Sequence, residues 1–282
     1  MTEFQAKTGT FEGALGVEIF YRSFQATDEK ARLVIAHGLG EHSGRYGNVV
    51  ERLFPMGVSI WALDHRGHGQ SKGKRGHLET FQHYLADLGV ILGMAHQNKP
   101  DGIKLFLLGH SMGGLIALNF AQNFPELISG VVASSPALGV TVEVPPAKAF
   151  LGRVMSSILP GLSMSNGLDA TKLSHDPAVV EAYQKDPLVH GRVTARWFTE
   201  FMGAMEATRQ GASAMSVPLL MQLAGDDHLV DPKASQAMFK QVGSKDKTLH
   251  VYDGYYHEIY NAPQDKRAKV LDDLTAWLSQ RW

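Results

Sequence analysis

Two rhythms alternate along the 282-residue chain. Apolar runs at residues 32–36, 58–63, 103–108 and 129–134 lack the in-out alternation of a half-exposed strand and read as strands buried on both faces, and residues 217–224 and 248–252 read as further strands of the same sheet. Between them, residues 81–97, 232–242 and 264–278 carry apolar positions at helical spacing, as do Leu115, Leu118 and Phe120. Strands spaced by helices of this length predict a mainly parallel sheet with helices on both faces and ligands held beyond the carboxyl ends of the strands. Ahead of these, residues 10–14 and 17–24, parted by a bend at Leu15 and Gly16, predict a hairpin at a sheet edge.

From about residue 141 to 214 the alternation stops. Phe150, Leu151, Val154, Met155, Ile158 and Leu159 fall at helical spacing with Arg153 among them, which predicts a helical cap inserted into one core made of residues 1–140 and 215–282. That apolar stripe fits cap packing and transient contact with a membrane or micelle surface equally well, because an amphipathic helix looks alike in both settings.

Composition narrows the function. A net charge of -1, with no basic stripe, argues against nucleic acid, whose phosphates demand concentrated positive charge. With no cysteine, disulfides and thiolate chemistry are excluded. The first residues lack the apolar core of a signal peptide, and no run of 18 apolar residues exists to span a membrane. A cytoplasmic location, with at most peripheral membrane association, is the expectation; the oligomeric state is open.

The chemistry centres on Ser111. The run at 103–108 meets Gly109, Ser111, Gly113 and Gly114, then passes without a linker into the helical stretch. Glycine two positions before and two after one residue suits a strained strand-to-helix turn that lifts its hydroxyl clear of the sheet, with helix N-terminal amides behind it. A serine alcohol needs a base, and the base an orienting acid. Asp227 follows the strand-ending Gly225, with Asp226, Asp231 and Asp253 as rivals; His257, on a flexible loop, is favoured over His228 and over His250 inside a strand. The glycine-rich loop His37 to Gly40 should complete an oxyanion site, its donors the backbone amides of Leu39 and Met112. Thirteen histidines match no zinc spacing such as H-E-x-x-H, so neither metal nor other cofactor is expected. Asp64, Arg66 and Gly67 should lock the loop after the 58–63 strand through charge-assisted bonds, and His110 should pack and hydrogen-bond beneath the turn.

HGLGEHSGRY at 37–46, DHRGHGQSKGKRGH at 64–77, GHSMGG at 109–114, AGDDHLVD at 224–231 and YHEIYN at 256–261 together resemble the monoacylglycerol lipase and lysophospholipase branch of the α/β-hydrolase fold. The resemblance spans nearly all of the chain outside the cap. It implies a mainly parallel eight-stranded sheet with a cap insertion, a Ser111, Asp227 and His257 triad, and hydrolysis of single-chain lipid esters without a cofactor. It further implies that Glu41 and Arg45 order the alcohol-binding end of the site. Tyr260, which stands where mammalian relatives carry a glycerol-contacting histidine, is expected with Glu41 and Arg45 among the substrate-binding residues; Val230 stands where those relatives carry a cysteine. The readings left open beside a monoacylglycerol lipase are a lysophospholipase, a general carboxylesterase, and a ligand-binding homologue without turnover.

Overall fold

The computed structural model describes residues 4–141 and 154–282. Eight strands form one sheet: β1 (Lys7–Glu12), β2 (Glu18–Phe24), β3 (Ala31–Ala36), β4 (Val58–Leu63), β5 (Lys104–His110), β6 (Gly130–Ser134), β9 (Leu219–Ala224) and β10 (Lys247–Tyr252), in the order β1-β2-β4-β3-β5-β6-β9-β10. Two short strands of the insertion, β7 (Ser163–Ser165) and β8 (Arg192–Thr194), pair separately. The large sheet is parallel from β4 to β10, and β2 runs against both of its neighbours. The expected hairpin is present at the edge, with a 3-10 turn at Ala14–Gly16 and its first strand starting at Lys7.

Burial on both faces is why β3, β4, β5 and β6 read as unbroken apolar runs, whereas the edge strands β1 and β10 are partly exposed. On β3, Leu33 and Ile35 face one layer and Val34 and Ala36 the other; on β5, Phe106 and Leu108 oppose Leu105 and Leu107. One layer packs under helices α1 (Gly47–Leu53) and α7 (Gln264–Ser279), the other under α2 (Gln82–His96) and α3 (Met112–Asn123). Helix α1 was not expected: its seven residues begin at a glycine and offer apolar contacts only at Val49, Val50 and Leu53.

The insertion carries helices α4 (Pro177–Lys185) and α5 (Ala195–Gln210) beside the β7–β8 hairpin, so it is not purely helical, and α6 (Pro232–Gln241) follows β9. Phe150, Leu151 and Arg153 of the predicted stripe lie outside the described residues, while Ile158 and Leu159 are exposed. Helix α5 has no core of its own. Trp197, Phe201 and Met205 join the same apolar cluster as α2 and α3, and Asn119 Nδ2 on α3 donates to Thr208 Oγ1 at 2.8 Å. The hairpin is stitched over the strand ends: the His190 amide donates to Gly40 O and the Thr194 amide to Gly76 O, both at 2.9 Å. No helix among the described residues is long and apolar enough to cross a membrane.

Candidate active site

Ser111 sits on the turn between β5 and α3 with φ 54° and ψ −117°. A non-glycine residue pays for that backbone with strain, which persists only where its surroundings enforce it. The two flanking glycines supply the enforcement: a Cβ on Gly109 would lie 2.1 Å from Gly113 O, and one on Gly113 2.1 Å from Ala36 O. The turn therefore packs backbone against backbone, and the first amides of α3, including that of Met112, have no partner inside the helix.

Parallel strands deliver the remaining groups to the same edge. Asp227 follows β9 and His257 follows β10. His257 Nδ1 and Asp227 Oδ2 are 2.7 Å apart, and Asp227 Oδ1 accepts from the amides of Leu229 and Val230 at 2.9 and 3.1 Å. Burial alone would raise the Asp227 carboxyl, but the imidazole and the two amides outweigh it and hold it below the usual carboxylate range. Asp227 is thus the acceptor and His257 Nδ1 the donor, which leaves Nε2 free to take up a proton. Burial lowers the proton affinity of His257, yet Asp227, Glu258 and Glu41 reverse that and raise it.

The rival acids do other work. Asp226 is exposed beside His228, Asp231 caps α6 by accepting from the Lys233 amide, and Asp253 is exposed. His250 lies within β10, its ring stacked on Tyr252. The His257 loop is anchored rather than flexible, because His257 is buried and the Glu258 amide donates to Leu173 O at 2.8 Å.

Ser111 and His257 open on one cavity of about 160 Å³, together with Leu39 and Met112. Its remaining wall is mostly apolar, with Val140, Leu173, Trp197, Phe201 and Met202 prominent. Gly38 passes beside the serine, where a Cβ would come within 3.3 Å of Ser111 Cβ. His110 lies beneath, Nδ1 3.2 Å from Ser134 O and its ring 4.7 Å from that of His257. Burial, aided by His257, lowers His110 to about 4, so it stays neutral.

The expected alcohol-end residues are arranged differently from their sequence reading. Glu41 lines the cavity, but its oxygens already accept from the Gly38 amide, Tyr46 Oη and Arg45 Nη1 at 2.6, 2.8 and 2.9 Å. Burial would raise its carboxyl; Arg45, His110 and His37 bring it down to about 2. Arg45 does not line the cavity: it forms a bidentate pair with Glu258 and lies under the Tyr183 ring. Tyr260 also points elsewhere, donating to Gln222 Oε1 at 2.6 Å within the core. Both are occupied by partners inside the protein and bear on the cavity only indirectly. Glu258, Tyr183 and Asn166, which the sequence did not single out, do line it. The loop after β4 is locked as expected, although Arg66 pairs with Asp87 of α2 at 2.7 Å while Asp64 accepts from the amides of Ser43 and Gln70.

Comparison with known proteins agrees with this fold. The family described as serine aminopeptidase S33 matches residues 27–264. A monoacylglycerol lipase of Mycolicibacterium smegmatis is 38% identical over 271 residues, covering 95% of each chain. A phospholipase of Bacillus subtilis is 34% identical over 260 residues, covering 92% of this chain and 98% of its own. The crystal structure of Paleococcus ferrophilus monoacylglycerol lipase superposes with a TM-score of 0.86 at 37% identity, covering 94% of this chain and all of that one.

Proposed function

Since the chain belongs to the serine aminopeptidase S33 family, in its monoacylglycerol-lipase-like α/β-hydrolase branch, and is a lipid ester hydrolase, we propose that it cleaves monoacylglycerols to glycerol and fatty acid. Ser111 Oγ gives its proton to His257 Nε2 and attacks the ester carbonyl; Asp227 holds the imidazole tautomer and stabilises the imidazolium. The amides of Leu39 and Met112 receive the oxyanion, and His257 returns the proton to the leaving alkoxide. Water, deprotonated by the same imidazole, then releases the acyl group from Ser111. No step calls for a cofactor.

The observation that carries this reading is the joint opening of Ser111 and the Asp227-bound His257 onto one largely apolar cavity. The apolar wall suits an acyl chain and excludes water from the developing charge. The described part of the insertion, residues 154–214, serves as its cap, and the exposed Ile158, Leu159, Leu162 and Met164 suit reversible contact with a lipid surface. Hydrolysis of mono-, di- and triacylglycerols and lysophospholipids by the wild type and by Ser111→Ala tests the proposal. Activity surviving in the variant rejects the mechanism. The Bacillus phospholipase supports a second reading, a lysophospholipase with the same triad, which faster turnover of lysophosphatidylcholine than of monoacylglycerol would establish.

A further inference from the structure

The loop that leaves β3 at Ala36 runs through His37, Gly38, Leu39 and Gly40. Gly38 and Leu39 border the cavity with Ser111, whereas His37 is fully buried and does not line it. The His37 ring makes two bonds of opposite sense. Nδ1 lies 2.7 Å from Gly38 O, which can only accept, and Nε2 lies 2.8 Å from the His65 amide nitrogen, which can only donate. One neutral tautomer satisfies both, with its proton on Nδ1. Burial lowers the proton affinity of the ring against the pull of Glu41 and Asp64, so a second proton is disfavoured.

The Nδ1 bond governs the next amide. Across a trans peptide the C=O and N–H point in opposite directions in one plane, and no cis bond occurs among the described residues. With the Gly38 carbonyl turned to the His37 ring, the Leu39 N–H is turned away from it, and none of the described residues accepts from that N–H. The peptide before it is pinned too, because the Gly38 amide donates to Glu41 Oε1 at 2.6 Å. Glycine is the residue least able to hold a conformation by itself; here both of its backbone polar groups are held by side chains. Those side chains are themselves fixed, Glu41 by Tyr46 and Arg45, and His37 by the rings of His65 and His68 at 4.5 and 5.4 Å.

We infer that His37 is a positioning residue for the reaction: its Nδ1–H holds the Gly38 carbonyl and thereby presents the Leu39 amide to the oxyanion. The inference rests on the reading of Leu39 as an oxyanion donor in an ester hydrolase, and adds the side chain that aims the donor.

His37→Asn keeps an N–H the same number of bonds from the backbone as Nδ1. His37→Gln carries its carboxamide one carbon further, to the place of Nε2, where it can serve the His65 amide but not Gly38. Urea unfolding first establishes that each variant is folded. His37→Gln should lower kcat on a monoacylglycerol by about 10- to 100-fold, less than outright loss of an oxyanion donor, with KM kept within about twofold because the lost contact acts only in the transition state. Affinity for an alkyl trifluoromethyl ketone, whose hemiketal with Ser111 places its oxygen where the oxyanion forms, should fall by the same factor. His37→Asn should bring both quantities back to within about threefold of the wild type. A folded His37→Gln with unchanged kcat and ketone affinity overturns the inference, as does a folded His37→Asn as impaired as His37→Gln, which would assign the effect to ring packing. If His37→Gln does not fold, His37→Asn decides alone: near wild-type values support the inference and a loss of tenfold or more in kcat overturns it. Activity surviving in Ser111→Ala overturns the function beneath it as well, whereas inactive Ser111→Ala beside unaffected His37 variants overturns the inference only.

Discussion

Arg45 and Glu258 meet fork to fork, Nη1 to Oε1 at 2.5 Å and Nη2 to Oε2 at 2.7 Å, one residue away from His257. Such pairs are strong and directional, so the loop that delivers the imidazole after the edge strand β10 is held by a side chain that follows the central strand β3. The pair is also buried, and Glu41 shares the same guanidinium.

Glu258 is one of the charges that raise His257 against the lowering effect of burial. Glu258→Gln removes that charge, so the acid limb of kcat/KM, which follows the free enzyme's base, should move to lower pH. A limb that stays in place, or moves up, would show that the Glu258 charge does not tune the base. Arg45→Met would leave two buried carboxylates uncompensated and should cost about 3–5 kcal/mol in urea unfolding.

Ser111→Ala should lower turnover by about a millionfold, as loss of a serine nucleophile does elsewhere. Ser111→Gly should be equally inactive yet more stable by about 1 kcal/mol, because the φ of 54° and ψ of −117° suit glycine. Calorimetry checks the second statement; a lower melting temperature for the glycine variant contradicts it.

Asp227→Asn should cost about 10⁴-fold in kcat by presenting the wrong imidazole tautomer. Asp226→Asn, one residue away but exposed, should change little. Equal losses in the two would argue that the loop, not the Nδ1 bond, matters.

Five histidines make the fold sensitive to acid. Burial lowers His37, His65, His68, His110 and His190 below 6.5, the last two to about 4. In the unfolded chain each titrates near 6.5, so below that pH the unfolded state binds more protons. The stability they contribute is complete above about pH 6.5 and is lost as pH falls toward about 4. A melting temperature that stays level across that window would contradict this.

Much of this architecture was legible because burial on both faces leaves a plain mark. The strands at 32–36 and 58–63 could hardly be anything else, and Gly109 and Gly113 betray a backbone approach that no side chain survives. What escaped was pairing across distance. Arg66 does lock its loop, but by reaching Asp87 on a helix that its motif does not contain, and Glu258, in plain view beside His257, shows its role only once Arg45 arrives from 213 positions away. Arg45 and Tyr260 belong to motifs at the alcohol-binding end, but motif position says which loop a residue occupies, not which way it points. Asn166 carried no more than a turn signal: its S-N-G setting announces an Asx turn and is silent on the cavity it borders.

The way α5 shares apolar neighbours with α3 bears on protein engineering. Trp197, Phe201 and Met205 are ordinary interior side chains of the globule that happen to arrive through the inserted segment. Grafting a homologue's residues 141–214 wholesale would therefore exchange part of the foundation along with the roof, and a chimera meant to alter substrate range should join upstream of Ala195. Helix α3, with Ser111 at its head, would then keep the support on which its geometry depends.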